Sequence, residues 1–398
     1  MARNLFKLLE TEIDNLQAAG LFHDEYSTGE ASKGSVKINS EQYVDLTCTD
    51  YLGLAKDKEV IEAIKSAVDT YGAGVGNYRF ISGTGQIHTE LEADIKNFLE
   101  KEDSALFTSL YQANIGLLES LVNQQDYIFT NLKCHPSIID GILLTKAKKF
   151  YWGFADLTDL EDQLKRSPQA RFRFIFTEGI LSNDGSAIDI KGVCDLAEKY
   201  DAIVVLHDTN GLGVSGNTGK GAAETTDTLS RVDIITGSFS KALSGVELGF
   251  VSGPKNLIRW LKQKSKPYVF STSPAPPIVA AAKKSLEIAS RDLNRRQFLQ
   301  EKVDYFRDGL QRAQLRLIKS DHPIVGIISN DAVKTQKIVD SLFSKNVFVT
   351  GLCYPVVPKG FARICCNITL HHSYEQLDHA IDAIDAISSA TSKYMKKN

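Results

Sequence analysis

Apolar and polar positions along this chain repeat with two periods, and the switches between them mark out its elements. Leu5, Leu8, Leu9, Ile13 and Leu16 recur at helical spacing, which predicts an amphipathic N-terminal helix ended by Gly20. A polar, hairpin-like stretch leads to the turn around Tyr51-Leu52-Gly53-Leu54, after which Val60, Ile61, Ile64, Ala67 and Val68 form one face of a second helix. Short apolar runs then predict strands at 105–108, 127–130, 172–177, 202–206, 232–235 and 248–252, with helical patterns such as 88–99, 112–121 and 192–200 between many of them. Short buried strands alternating with amphipathic helices imply an α/β fold with a mostly parallel sheet covered on both faces. Beyond it, helices at 278–289, 298–313, 333–345 and 374–387 and strands at 324–328 and 347–350 predict a smaller C-terminal α/β unit. The expected division is an N-terminal arm over 1–50 packing with the small domain, a large domain over 51–287 and the small domain over 288–398.

With 398 residues, 43% hydrophobic and 24% charged, the chain can bury full cores, which argues against disorder. A formal net charge of -3 with both signs interspersed gives no field to recruit nucleic acid, so no nucleic-acid partner is expected. No apolar run approaches the roughly 18 residues that span a bilayer, and the first residues lack a secretory apolar core, so the expectation is a cytoplasmic protein with no membrane partner. The six cysteines, at 48, 134, 194, 353, 365 and 366, form no C-x-x-C pair and read as reduced thiols without a structural metal.

In a parallel sheet covered by helices, ligands sit outside the carboxyl ends of the strands. Ser109–Tyr111, Cys134–Ser137, Ser182–Gly185, His207–Asn210 and Ser238–Lys241 each follow a predicted strand and so converge on one crevice. Lys241, flanked by small hydroxyl residues, is the candidate nucleophilic amine, since a partly desolvated lysine has a lowered pKa and forms imines. The helix start after Ser109 offers free backbone N–H groups and a positive dipole end to a phosphate. The glycine-rich loop 72–85, around Arg79, lacks both the G-x-G-x-x-G and the Walker pattern, which argues against a nucleotide there. A phosphate-suited helix start, an imidazole, hydroxyls and an amine together suit a phosphorylated carbonyl cofactor, and pyridoxal phosphate fits that description.

The segments Tyr51-Leu52-Gly53-Leu54, Arg79-Phe80-Ile81-Ser82-Gly83-Thr84, His135-Pro136-Ser137-Ile138-Ile139-Asp140-Gly141, Lys191-Gly192-Val193-Cys194-Asp195-Leu196-Ala197, Asp233-Ile234-Ile235-Thr236-Gly237 and Tyr354-Pro355-Val356-Val357-Pro358-Lys359-Gly360 carry a family likeness. In register over nearly the whole length, the chain resembles the pyridoxal-phosphate-dependent α-oxoamine synthases, especially those of the glycine C-acetyltransferase kind. The resemblance implies a fold type I transferase that condenses an acyl-CoA with an amino acid and works as a homodimer with its site at the interface. It implies that Lys241 is the imine-forming lysine and proton carrier and that His135 stacks on the cofactor ring. Leu110, Tyr111, Ser182, His207, Asn210 and Ser238 would contact the cofactor, and Ser271 and Thr272 would reach the phosphate in the partner subunit. Asp50, Arg79 and Cys365 would face the substrate.

Three matched positions depart from the family. His207 stands where relatives carry an aspartate that pairs with the pyridine nitrogen, and the neighbouring Asp208 should point to the opposite face. Asn210 replaces a histidine near the ring oxygen, and Cys365 replaces the second arginine of Arg-x-Arg, which grips the substrate carboxylate. Two alternatives follow: an enzyme of this family with a changed substrate or reaction, and a catalytically inactive assembly subunit.

Overall fold

The computed structural model describes residues 3–390 apart from 19–21, 23–24, 30–32, 132–133, 154 and 355. Seven strands build the principal sheet: β1 (Asp103–Phe107), β2 (Tyr127–Asn131), β3 (Lys148–Trp152), β4 (Arg173–Glu178), β5 (Ala202–His207), β6 (Ile234–Ser238) and β7 (Gly249–Gly253). They lie in the order β1-β7-β6-β5-β4-β2-β3, and every neighbouring pair is parallel except those made by β7, which runs against both β1 and β6. The connection 239–248 carries no helix, and a return without a crossover helix can pair only antiparallel.

Successive residues of each strand serve opposite faces, which explains the unbroken apolar runs. Ile175, Val204, Leu206 and Ile235 belong to one buried cluster, while Phe174, Phe176, Val205 and Ile234 belong to the other. The predicted strands appear within a residue or two, and β6 begins later than expected, at Ile234, and runs on through Gly237 and Ser238. The edge strand β3 was not predicted. Its sequence opens with two lysines and offers few apolar positions, yet its Trp152 is fully buried.

A second, antiparallel sheet orders Ile324–Asn330, Ala362–Asn367 and Thr350–Leu352, with the middle strand buried throughout. That middle strand also escaped prediction, because Arg363 and Asn367 interrupt its apolar pattern. The strand expected at 347–350 is divided: Val347–Phe348 pairs instead with the N-terminal hairpin Ser35–Ile38 and Glu41–Asp45 in a third sheet. The first helix covers Arg3–Ala18, and Gly20, expected to end it, lies outside the described residues. Its apolar stripe, Leu5, Phe6, Leu8, Leu9, Ile13 and Leu16, is exposed in the single chain.

One close approach positions the site. A Cβ built on Gly249 would lie 2.4 Å from the Leu110 backbone nitrogen, so only glycine lets β7 pass against the start of the helix Leu110–Leu121. Gly249→Ala is expected to lose about 1–3 kcal/mol of stability in urea unfolding. Gly74→Ala, where a Cβ meets nothing within 4 Å, should stay within about 0.5 kcal/mol of the parent.

Candidate active site

Lys241 emerges three residues beyond β6, after Ser238 and Ser240, whose hydroxyls bond each other at 2.7 Å. Burial lowers its pKa below that of a free lysine, against the opposing influence of Cys365 and Glu178. Those two neighbours show what converges there: Glu178 is the last residue of β4, and Cys365 lies on the middle strand of the C-terminal sheet.

His135 caps the helix Pro136–Leu144, its ring accepting from the Ser137 backbone N–H. The ring stacks on that of His207 at 5.1 Å between centroids and 27° between planes, and Tyr111 meets it edge-on at 6.4 Å. Tyr111 in turn bonds Asp140 through its hydroxyl. Burial, then the nearby Lys241 charge, push His135 down to about 4. His207, the last residue of β5, is fully enclosed, and burial takes its pKa well below the usual imidazole range. Its Nδ1 lies 3.2 Å from Asn114 Nδ2 and 3.1 Å from Thr236 Oγ1, and its Nε2 lies 3.2 Å from Thr209 Oγ1. Since the Asn114 amide can only donate, Nδ1 accepts and the proton sits on Nε2, directed at Thr209. Both stacked imidazoles are therefore neutral.

Asp208 does point the other way. Its carboxylate accepts the backbone N–H groups of Gly211 at 3.1 Å and Ala222 at 2.6 Å, and burial raises its pKa to about 6. Asn210 donates through Nδ2 to the Ile180 carbonyl at 3.1 Å, leaving its buried Oδ1 without a partner. Its own carbonyl accepts from His322 Nε2 at 2.9 Å, and His322 meets the Tyr51 ring edge-on at 5.3 Å. Burial pushes Cys365 up to about 12, so the thiol stays protonated. Arg363, two residues away, is buried in an ion pair with Asp184.

Other expected site residues lie as follows. The Leu110 and Tyr111 amides open their helix, where Ser109 accepts from Gln112 N and the first N–H groups have no intrahelical acceptor. Ser182 is exposed in the turn after β4, and its backbone N–H bonds Glu178. Asp50 accepts the backbone N–H groups of Leu54 and Ala55, each at 2.9 Å, and closes the turn through Gly53. Arg79 is engaged with Glu92 at 2.9 Å, Thr84 at 3.0 Å and the Tyr268 ring. Thr272 bridges to Tyr78, which joins the 268–273 segment to that same loop, and Ser271 precedes it.

Sequence reasoning missed Glu178, Asn114 and His322. Burial raises Glu178 to about 8, while the backbone N–H groups of Ser182 and His135 oppose that rise, and its Oε1 is buried without a partner. The signal was available in part, since a carboxylate at the end of a strand whose preceding residues are buried is rarely placed there without a task.

The residues present fit pyridoxal phosphate. Gly249 pairs with Ser238 across the β6–β7 ladder and lies against Leu110 N, so a hydroxyl and a helix N-terminus share a space that a Cβ would fill. Asn210 Oδ1 and Glu178 Oε1 are unpaired polar atoms in the same crevice as the Lys241 amine. No group of three or more His, Cys, Asp or Glu among the described residues is arranged to hold a metal ion.

Comparison with known proteins agrees with this geometry. The aminotransferase class I and II family matches residues 41–384, and the chain belongs to it. Within that family the protein is a pyridoxal-phosphate-dependent C-acyltransferase of the α-oxoamine synthase type. It is 40% identical over 390 residues to 2-amino-3-ketobutyrate coenzyme A ligase of Salmonella typhimurium, covering 97% of this chain and 98% of that one. It is 36% identical to 8-amino-7-oxononanoate synthase 1 of Bacillus velezensis, covering 95% and 97%. A structure of SPT with PLP superposes at a TM-score of 0.91, with 25% identity over 98% of both chains.

Glu178 generates a pH prediction. A buried acid whose folded pKa lies near 8, above an unfolded value of about 4.3, makes the native state bind more protons than the unfolded state. The stability that Glu178 contributes to the cofactor-free protein should therefore fall as pH rises between those two values and level off above them. Urea unfolding across pH should show the parent losing stability relative to Glu178→Gln over that window; a difference that stays flat or grows in the parent's favour would contradict the assignment.

Proposed function

We propose that this protein transfers the acyl group of an acyl-CoA to the α-carbon of an amino acid or amino-acid derivative, as a homodimer in the cytoplasm. The observation that carries the reading is the Lys241 amine, held partly desolvated beside neutral imidazoles at the carboxyl end of the sheet. When bound, pyridoxal phosphate supplies the electron sink that stabilises charge on the amine-bearing carbon. Lys241 would hold the cofactor carbonyl, give way to the donor amine and carry the proton of the amine-bearing carbon. Its lowered pKa keeps more of the amine free near neutrality. His135, fixed by Ser137, would cover the ring; Leu110, Tyr111 and Ser238 would hold the phosphate; Ser182 and Asn210 would approach the ring oxygen; and His207 would stand at the ring nitrogen. Asp50, Arg79 and Cys365 complete the substrate side.

Two exposed apolar surfaces support the homodimer. The stripe on Arg3–Ala18 is one; the other gathers Tyr78, Phe80, Ile81 and Phe270 beside Ser271 and Thr272, which in this reading reach the partner's phosphate site. Exposed apolar area of this kind marks contact surfaces. The division into 1–50, 51–287 and 288–398 goes with the reading, and the pairing of Val347–Phe348 with the N-terminal hairpin supports grouping the arm with the small domain. The cytoplasmic assignment draws support from the cysteines, all free, and from the lack of a described helix long and apolar enough to cross a membrane.

The neutral His207 and Cys365 favour a second reading, in which the donor is altered from a free amino acid. Loading with pyridoxal phosphate should give the visible absorbance of a lysine-bound cofactor, and acetyl-CoA with a donor amine should release free thiol. Lys241→Ala should lose both, with turnover reduced at least about a thousandfold. A protein that stays colourless with excess cofactor would instead be the catalytically inactive assembly subunit.

A further inference from the structure

The charges around Lys241 restrict what its donor can be, and this inference rests on the functional reading above. Among the described residues whose charges act on Cys365, the cations are Lys241 and Arg363. Arg363 is not available: its Nη1 is paired with the buried Asp184 carboxylate, and its Nε donates to the Phe361 carbonyl at 3.2 Å. Arg307, whose charge acts on His322, donates to the backbone carbonyls of Ile318, His322 and Ile324. Lys241 is disfavoured as an ammonium by burial, and it must itself exchange with the donor. The remaining groups are two neutral imidazoles, the Cys365 thiol, the Glu178 carboxyl and the Tyr51 hydroxyl.

A donor carboxylate entering here would meet Asp184, and the guanidinium nearest in sequence to Cys365, that of Arg363, is already committed to that carboxylate. A buried charge without a partner is strongly disfavoured. A carbonyl oxygen without charge suits the pocket better. Tyr51 is completely buried, its hydroxyl has no hydrogen-bond partner, and it neighbours Cys365. Such a hydroxyl is a neutral donor of the kind a carbonyl oxygen accepts.

We propose that the donor accepted beside Lys241 is an α-amino acyl group whose carboxyl end is masked as an ester, thioester or amide, and that Cys365 and the Asp184–Arg363 pair set this preference. The chemistry is consistent with the neutral site. Two uncharged imidazoles add no positive charge to stabilise a carbanion, and a carbon next to an ester or amide carbonyl gives up its proton more readily than one next to a carboxylate. Binding exchanges one amine for another: the donor nitrogen takes the cofactor carbonyl carbon, Lys241 leaves as a free amine, and no oxidant or reductant takes part.

The test is a binding titration of the cofactor-loaded protein, read from the change in its visible absorbance without acyl-CoA. Glycine, glycinamide and glycine methyl ester are compared at equal free-amine concentration. The amide and the ester should bind at least tenfold more tightly than glycine. Cys365→Arg, which adds a guanidinium, and Asp184→Asn, which frees the one at Arg363, should each tighten glycine at least tenfold and shift the glycine-to-amide affinity ratio toward glycine by at least as much. Retained cofactor absorbance reports that either variant has folded, and two variants acting from different lobes guard against the failure of one. Glycine binding as tightly as glycinamide to the unmodified protein would overturn the inference, as would no gain for glycine in either folded variant. A protein that never acquires the cofactor absorbance would overturn the functional reading itself, a distinguishable result.

Discussion

Removing water from one ammonium group is the constraint on which the rest of this structure depends. A lysine side chain placed at the end of a buried strand resists protonation unless a carboxylate pays the difference, and among the described residues the carboxyl group that acts on Lys241 is Glu178. Glu178, the nearest acid, is itself held toward its neutral form by burial, and Cys365 stays a thiol. His135, His207 and His322 are all driven toward neutrality by the same enclosure. Desolvation thus acts on each of these groups, and in each case it favours the uncharged form. The strongest charge pair nearby, Asp184 with Arg363, is closed on itself.

The fold brings this about by topology. Strands β4, β5 and β6 end side by side, so Glu178, His207 and Ser238 arrive together without any long loop. The antiparallel β7 returns beside β6, and its Gly249 admits the helix that begins at Leu110. The C-terminal sheet then closes over the crevice, bringing Cys365 to Lys241 and tying Arg363 to Asp184. An amine nucleophile, a helix N-terminus and a hydroxyl pair are thereby held on rigid elements, which is what binding a phosphorylated carbonyl requires.

Much of this was legible in the chain. The strands of the principal sheet announce themselves because both faces are buried, and the residues following them are the ones the crevice gathers. Asp208 could be assigned to the far face from strand alternation alone, and it lies there. What escaped notice depended on partners distant in sequence. Nothing local in the sequence reveals that Arg79 pairs with Glu92. Asn114 sits in mid-helix, and its role follows only from the bond to His207. His322 becomes part of the site because a strand of the second sheet delivers it to the Asn210 carbonyl. The strands Lys148–Trp152 and Ala362–Asn367 were obscured by polar residues that burial and pairing in the sheet accommodate.

The ionisation of Lys241 in the cofactor-free protein tests the central claim most directly. Lysines carrying a carbon-13 label on reductively methylated amines can be followed by NMR across pH, with Lys241→Arg identifying the resonance. The account predicts that Lys241 titrates clearly below the 10.5 of a free lysine. Titration at or above that value would show that its ammonium is well solvated or paired, and would contradict the account.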